Sequence, residues 1–437
     1  MTSGEKSIKL EYITRVEGHA NVYIRVSKNE VEEVKMQVIE TPRFFEAMLK
    51  GRKIKEAHTI VSRICGICDF SHTLASVETT ENALSMQVSE QTKLLRKLVM
   101  YGQHIYSHAL HLYLLSLPDY LGFPDAIKMA SEYPEEVKRG MRLKKVGNEI
   151  SRIIGGRATM SISIIPGGFA KLPSKEDLEK IKSLLKEGLE DAKKTLELFA
   201  SLKPPRLLRE TQFAAIDSKE DKYPLILGEV IRTSDGIYFN KEEFEKKYVE
   251  QAREYSYAKF GTIDSKAPMV GALARFNIHG EEKLTSPTKS LLKSLSISNT
   301  LNNRYDNNLA QAIEMVDFFY KAQEVTEQLL SNGIRQEEPL QLLPKEASGV
   351  GAVEAPRGIL YHRYSFDKEG RIQNANIVTP TAMNVFSLEL DIKQLLSENL
   401  DLPESKLVEI IEKLIRAYDP CYSCSAHFLK LKIEREQ

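Results

Sequence analysis

Two stretches decide the fold: Arg63-Ile-Cys-Gly-Ile-Cys-Asp-Phe-Ser-His72 and Asp419-Pro-Cys-Tyr-Ser-Cys-Ser-Ala-His427. All four cysteines of the 437-residue chain lie in these two Cys-x-x-Cys pairs, Cys65/Cys68 and Cys421/Cys424, near opposite ends. With no thiol to spare, they make a four-sulfur donor set for a soft transition metal, and their separation requires the fold to bring its two ends together. Structural zinc fits the spacing poorly, because zinc ribbons close loops of about 15 to 20 residues. A four-cysteine iron–sulfur cluster competes more closely. A thioredoxin-like dithiol needs only one such motif, and no strand-turn-helix unit precedes either pair. Beside that cluster, what remains is a thiolate-bound catalytic metal.

Working outward, the length alone suggests about three domains, but a site sharing ligands between both ends argues for one integrated body over residues 1–427. Charge is balanced at 61 basic and 61 acidic residues, so nothing favours nucleic acid or an anionic membrane as partner. No run approaches the roughly 18 apolar residues that span a bilayer, and the start MTSGEKS lacks the apolar core of a secretory signal. These features, with few cysteines set at metal spacing, point to the reducing cytoplasm. The lack of tryptophan beside many Lys and Glu is compatible with a thermophile.

Residues 9–39 read as strands with a turn at Lys28-Asn29-Glu30, and 41–51 switches to helical spacing. From Ser89 to about Leu117, apolar residues recur at three and four positions, predicting a long buried helix ended by Pro118. Ser174 opens another, with Asp177 completing a capping box and Leu178, Ile181, Leu185, Leu189, Ala192, Leu196 and Phe199 on one stripe, closed by Pro204-Pro205. The stretch 202–280 is mixed, with strand-like pieces such as Tyr223 to Leu227. Helices are expected over 286–330, with breaks, and 404–417. The fold class is therefore α+β and mainly helical, a bundle of long helices flanked by small β-sheets.

The chain resembles the large subunit of nickel-iron hydrogenases. The resemblance is carried in order by Arg15-Val-Glu-Gly-His19, Arg63-Ile-Cys-Gly-Ile-Cys68 with His72, Ser107-His-Ala-Leu-His111, Glu354-Ala-Pro-Arg-Gly358, Pro380-Thr381 and the terminal Asp-Pro-Cys-x-x-Cys-x-x-His ending at His427. Residues 107–120 and 416–424 look most like the cytoplasmic, multi-subunit, NAD(P)-linked hydrogenases of archaea, also called sulfhydrogenases.

This resemblance implies nickel held by four thiolates, with Cys65 and Cys421 terminal and Cys68 and Cys424 bridging to an iron that carries carbon monoxide and cyanide. Soft sulfur suits nickel in several oxidation states. Hydrogen is split unevenly there, its proton passing to Cys421 and then to Glu17 as a gate. Arg357 is implied as a permanent cation over the metals, positioned by Asp419. Arg63 and His72 would donate hydrogen bonds to thiolates and cyanide. Pro356 and Pro380 flank the site, and Thr381 matches a hydroxyl that bonds a cyanide nitrogen. A second ion, Mg2+ or Fe2+, is implied at Glu46, the Ile377 carbonyl and His427. His104, His108 and His111 fall at helical spacing but match packing positions rather than ligands.

Two departures stand out: Ser107 replaces an aspartate that many relatives carry, so support for Arg357 must be arranged differently, and Met160-Ser161 replaces a common His-Pro after Gly155-Gly156-Arg157. The ten residues 428–437 resemble an extension removed by a C-terminal endopeptidase after a maturation chaperone delivers nickel. With no cysteine left for a cluster, electrons must leave through partners. The resemblance implies an iron–sulfur small subunit, a further iron–sulfur subunit and a flavin (FAD) diaphorase that reduces NAD(P), in a heterotetramer. Pairing with the small subunit is expected to bury about 2,000 to 5,000 Å². The alternatives are another acceptor (deazaflavin F420, ferredoxin or a membrane complex) or a non-catalytic structural subunit, which the four retained thiols oppose.

Overall fold

The computed structural model describes residues 5–221 and 223–426. Alternating burial begins at the N-terminus, where β1 (Glu5–Leu10), β2 (Ala20–Ser27) and β3 (Glu30–Val38) form an antiparallel sheet in that order. Val22, Ile24, Val34 and Met36 fill its inner face. Lys28 and Asn29 both have positive φ, 47° and 64°, as a two-residue hairpin with right-handed strand twist demands. The strands expected across 9–39 are interrupted at 11–19. That irregular segment carries Glu17.

The helices that matter for the site are α1 (Phe45–Leu49), α2 (Asp69–Leu84), α3 (Glu90–Leu110), α4 (Pro134–Gly155), α5 (Lys175–Ser201), α6 (Ala272–His279), α7 (Asn307–Asn332), α8 (Pro380–Ser397) and α9 (Glu404–Ala417). Helices α3, α4, α5 and α7 pack together as the bundle core. Where α3 crosses α4 the backbones nearly touch: a Cβ on Gly147 would sit 2.4 Å from the Gly102 carbonyl oxygen. Ser89 caps α3 by accepting from the Thr92 N–H at 3.1 Å. Ser174 and Asp177 cap α5 reciprocally, at 3.1 and 3.0 Å.

Pro118 does not end α3. The helix widens into a π turn over His111–Ser116 and resumes as a short α segment, Leu117–Leu121, with Pro118 in its first turn. Pro118 brings no N–H, so the hydrogen-bond ladder lacks one donor where the wider turn gives way to the α segment. Arg15 donates to the Leu115 carbonyl at 2.8 Å and pairs with Asp119, which also takes Arg416 Nη1 at 2.8 and 3.0 Å. One buried carboxylate thus ties an early and a late arginine together.

A second antiparallel sheet, β4 (Ala347–Ala355), β5 (Gly358–Phe366) and β6 (Ile372–Val378), lies on α2. A small mixed sheet joins 268–269, 212–217, 230–233 and 238–240 in that spatial order. Tyr223 to Leu227 is not a strand. Its one ladder-like bond is the Leu225 carbonyl accepting from Glu354 N–H. The observed class is α+β and mainly helical, a long-helix bundle flanked by small sheets. Among the described residues no helix is long and apolar enough to cross a membrane.

Candidate metal centre

The four cysteines meet. Their sulfurs all lie within 4.8 Å of one another, every one buried. Cys65 and Cys421 are 3.5 Å apart, as are Cys68 and Cys424. A metal–sulfur bond of roughly 2.3 Å gives a tetrahedral edge near 3.8 Å, so the two contacts between the pairs have the spacing of a metal cage, while Cys421 and Cys424, at 2.6 Å, would have to part to seat an ion. Hydrogen bonds from Cys421 and its neighbours push the Cys65 thiol well below the ordinary thiol range. Burial holds Cys421 and Cys424 well above it. Four buried thiolates without a cation would be prohibitively desolvated, so this donor set fits a bound transition metal.

Each pair reaches the cage differently. Cys65 follows a single 3-10 turn, Ser62–Ile64, and Cys68 is the N-terminal cap of the 16-residue α2, whose dipole favours a thiolate there. The Ile67 N–H donates to Cys65 Sγ at 3.3 Å. Cys421 heads only a four-residue turn, Tyr422–Ser425. It is held instead by distant groups: its N–H donates to Thr381 Oγ1 at 2.9 Å, and the Tyr422 N–H donates to the Glu17 carbonyl at 2.8 Å. Gly18 (φ 80°) lets this strand approach, since a Cβ there would lie 2.7 Å from Ser423 N. Arg43, which the sequence did not single out, joins both loops by donating to the carbonyls of Ile64 and, at 2.9 Å, Ser423.

The half-buried Glu17 carboxylate faces the cage. Cys421 Sγ donates to its Oε2 at 3.0 Å, the Ser423 N–H donates to the same oxygen at 3.1 Å, and the Ser423 hydroxyl donates to Oε1.

Arg357 is buried opposite. Its Nε donates to the Asp419 carbonyl at 2.7 Å and its Nη2 to Asp419 Oδ1 at 3.0 Å. Among the described residues its Nη1 has no hydrogen-bond partner, an orphaned cationic donor that suits a small acceptor bound at the metals. The turn carrying Arg357 is gripped by Arg275 of α6, also missed from sequence. Arg275 Nη1 reaches Glu354 (2.8 Å) and the Ala355 carbonyl (3.0 Å), Nη2 reaches the Pro356 carbonyl (3.1 Å), and Glu314 of α7 accepts from Nε at 2.6 Å and Nη2 at 2.8 Å. Burial alone would raise the Glu314 carboxyl, but Arg275 and His108 outweigh it and hold it well below the usual range. His108 Nε2 meets Glu314 Oε2 at 2.9 Å, His111 lies against Gln311, and His104 against the Met100 carbonyl. None of the three joins a metal-ligand cluster among the described residues.

Other expected residues divide. Glu46 Oε1 accepts from the Ile377 N–H at 2.8 Å, and burial raises its pKa. The third member proposed for that ion, His427, and the extension 428–437 lie outside the described residues. Pro380 opens α8 and so places Thr381. Thr381 accepts from Cys421, which leaves its hydroxyl proton free to donate. His72 is buried, with its pKa lowered to about 4 by burial, and bonds His362 Nε2 through Nδ1 at 3.2 Å rather than a thiol. Arg63 corrects the expectation outright. It is exposed and donates to the Thr59 carbonyl one helical turn back, because the 3-10 turn before Cys65 points its side chain outward.

Similarities to known proteins identify the family. A family model described as nickel-dependent hydrogenase matches residues 43–149 and 217–427, and one described as HoxL-like matches 7–41. The alpha subunit of sulfhydrogenase 1 of Pyrococcus furiosus is 37% identical over 426 residues, spanning 97% of this chain and 98% of that one. The alpha subunit of sulfhydrogenase 2 from the same organism is 37% identical over 430 residues, spanning 97% and 100%. Among solved structures, an NAD+-reducing [NiFe]-hydrogenase in the H2-reduced state superposes with a TM-score of 0.87 at 25% identity, covering 97% of this chain and all of that one. The four cysteines fit a nickel centre, and the chain belongs to the nickel-dependent hydrogenase family as a large subunit.

Proposed function

We propose that this chain is the catalytic subunit of a nickel-iron hydrogenase that interconverts H2 with protons and electrons, working with an iron–sulfur small subunit and a flavin module that exchanges electrons with NAD(P). The observation that carries the reading is the contact between Cys421 Sγ and Glu17 Oε2, 3.0 Å apart, at the edge of a buried four-sulfur cage.

Cys65, Cys68, Cys421 and Cys424 would hold the nickel, with Cys68 and Cys424 shared with an iron bearing carbon monoxide and cyanide. When bound, this group supplies heterolytic cleavage of H2 and takes up the electrons. The protein's own residues handle the proton and the electrostatics. Cys421 Sγ passes a proton to Glu17 Oε2, and the Ser423 N–H and hydroxyl keep that carboxylate turned toward the sulfur. Glu17 is half-buried, so it can meet the cage on one side and an exit on the other. Arg357 brings a fixed positive charge and one free donor to the cage. Thr381 can donate to a diatomic ligand while its oxygen holds the Cys421 N–H. Asp419 holds Arg357. Glu46, with the Ile377 carbonyl and His427, would bind the second ion, Mg2+ or Fe2+.

Residues 1–427 would form one catalytic body, with 428–437 removed on maturation. Lys430 to Glu436 is strongly charged and begins four residues after the buried Ala426, and a charged tail leaving a buried terminus is costly. All four cysteines are committed to the cage, so electrons must cross to a partner. The similarity to an NAD+-reducing [NiFe]-hydrogenase supports an NAD(P)-linked acceptor, and four free cysteines at metal spacing suit a reducing cytoplasm.

Infrared spectroscopy in the carbonyl and cyanide stretching region, with nickel analysis and hydrogen-dependent dye reduction on the purified complex, tests the reading. A complex free of nickel and inert toward hydrogen would overturn it. Mass spectrometry of active enzyme should find a chain ending at His427, and an intact Gln437 would refute the processing step.

A further inference from the structure

The residue that holds Arg357 is itself strained. Asp419 has φ 50° and precedes Pro420, whereas a residue before proline prefers extended backbone and a non-glycine residue stays in the left-handed region only when its surroundings hold it there. Its holders can be named. Its N–H donates to the Arg416 carbonyl at 2.9 Å, and Arg357 takes its carbonyl and Oδ1. Its remaining oxygen, Oδ2, accepts from Gln311 Nε2 at 3.0 Å. Gln311 is fully buried on α7.

The orientation of that amide is determined by its neighbours. Gln311 Oε1 faces His111 Nδ1 at 2.6 Å, and His111 Nε2 faces the Arg416 carbonyl, also at 2.6 Å. A carbonyl can only accept, so the Arg416 carbonyl takes the His111 Nε2 proton, and the Gln311 amide turns its NH2 toward the carboxylate. The amide cannot flip without setting its oxygen against Asp419. Ser107, one helical turn before His111, gives no help, since its buried hydroxyl has no partner among the described residues.

We propose that Gln311 is a positioning residue for the reaction: its amide, seated against His111, holds Asp419 in the strained backbone conformation that aims Arg357 at the cage. The proposal rests on the role given to Arg357 above. Gln311 does not hydrogen-bond the cysteines, and Cys421 is anchored separately by Thr381 and by a single backbone bridge to the irregular segment carrying Glu17. Its removal should therefore misdirect the arginine and leave the cage able to fill.

The test uses the assembled complex carrying Gln311→Leu, Arg357→Lys or both. We expect Gln311→Leu to lower kcat at least about 10-fold with KM for H2 within about twofold and nickel per chain unchanged. Amide hydrogen exchange, read on both nickel-loaded and metal-free protein, should quicken across residues 418–421 and not elsewhere. In the Arg357→Lys background the same substitution should cost less than about twofold, because its effect passes through that arginine. A Gln311→Leu enzyme with parental kcat, a full second loss in the double variant, or nickel falling in step with activity would each overturn the proposal. Should the leucine variant fail to assemble, Gln311→Glu keeps the size and sets a carboxylate against Asp419. It must show the same loss, and parental activity would be equally fatal. An Arg357→Lys enzyme as active as the parent would instead sink the role given to Arg357, while the exchange rates would still report whether Gln311 holds Asp419.

Discussion

The two cysteine pairs supply the same four sulfurs' worth of chemistry from opposite kinds of scaffold. Cys68 caps α2, a regular helix whose N-terminal end favours a thiolate, and Cys65 follows a 3-10 turn just before it. Cys421 and Cys424 sit in a four-residue turn with almost no local structure. That turn is shaped by Thr381, Glu17, Arg43 and the Asp419–Arg357 pair, residues drawn from the whole length of the chain. The first pair is a preformed seat, and the second is a latch that closes only once the rest of the body is assembled. Metal binding then couples to the final folding step rather than to the formation of any one element.

The comparison can be broken at several points. Removing a donor from either side should be equally severe: Cys65→Ser and Cys421→Ser are both expected to abolish nickel and hydrogen-dependent dye reduction together. A Cys421→Ser enzyme that keeps its nickel would end the equivalence. Arg357→Lys should come next, lowering kcat by about 100-fold or more while nickel content stays at the parental level. The latch itself is probed by Arg43→Ala, which unties the Ile64 and Ser423 carbonyls. Nickel affinity is expected to fall by about 10- to 100-fold, as for other groups that orient ligands, and unchanged uptake in a competition titration would show that the loops need no such tie.

Glu46 gives a smaller effect with a definite sign. Burial raises its folded-state pKa, so its ionised form opposes folding and stability declines as pH rises through that raised pKa. With chelator at neutral pH, Glu46→Gln should raise Tm by about 1–2 °C. Magnesium should stabilise only the parent, and an equal shift in both proteins would exclude Glu46 as a ligand. Arg63→Ala, last, should leave activity within about twofold of the parent, as expected at an exposed site.

The cage was legible because chemistry restricts it: four thiols, two spacings and no alternatives leave one place for them. Helices with a single apolar stripe were equally plain, and α9 has the bounds its periodicity implies. Helix α2 escaped notice because it is buried nearly all round with Thr, Ser and Glu among its inward residues, so no stripe distinguishes it. Arg43, Arg275 and Gln311 were invisible for another reason. Each is an ordinary polar residue whose meaning comes from backbone carbonyls or a carboxylate brought near only by the fold. Arg63 shows the converse hazard, since closeness to a ligand along the chain says nothing about which way a side chain points.

The π turn at His111–Ser116 has a consequence for the phase of everything beyond it. A wider turn holds one residue more than the α turn it replaces, which offsets the downstream side chains by roughly 100° around the axis. In an uninterrupted helix, His111 could not meet Gln311 while Asp119 meets both Arg15 and Arg416. Deleting a single residue between 112 and 116 would keep the composition and much of the helicity, yet rotate Asp119 off its two arginines and unhook the early segment from the late one. That spare residue acts as a gauge block, setting the angular interval between two sites that must be satisfied at once.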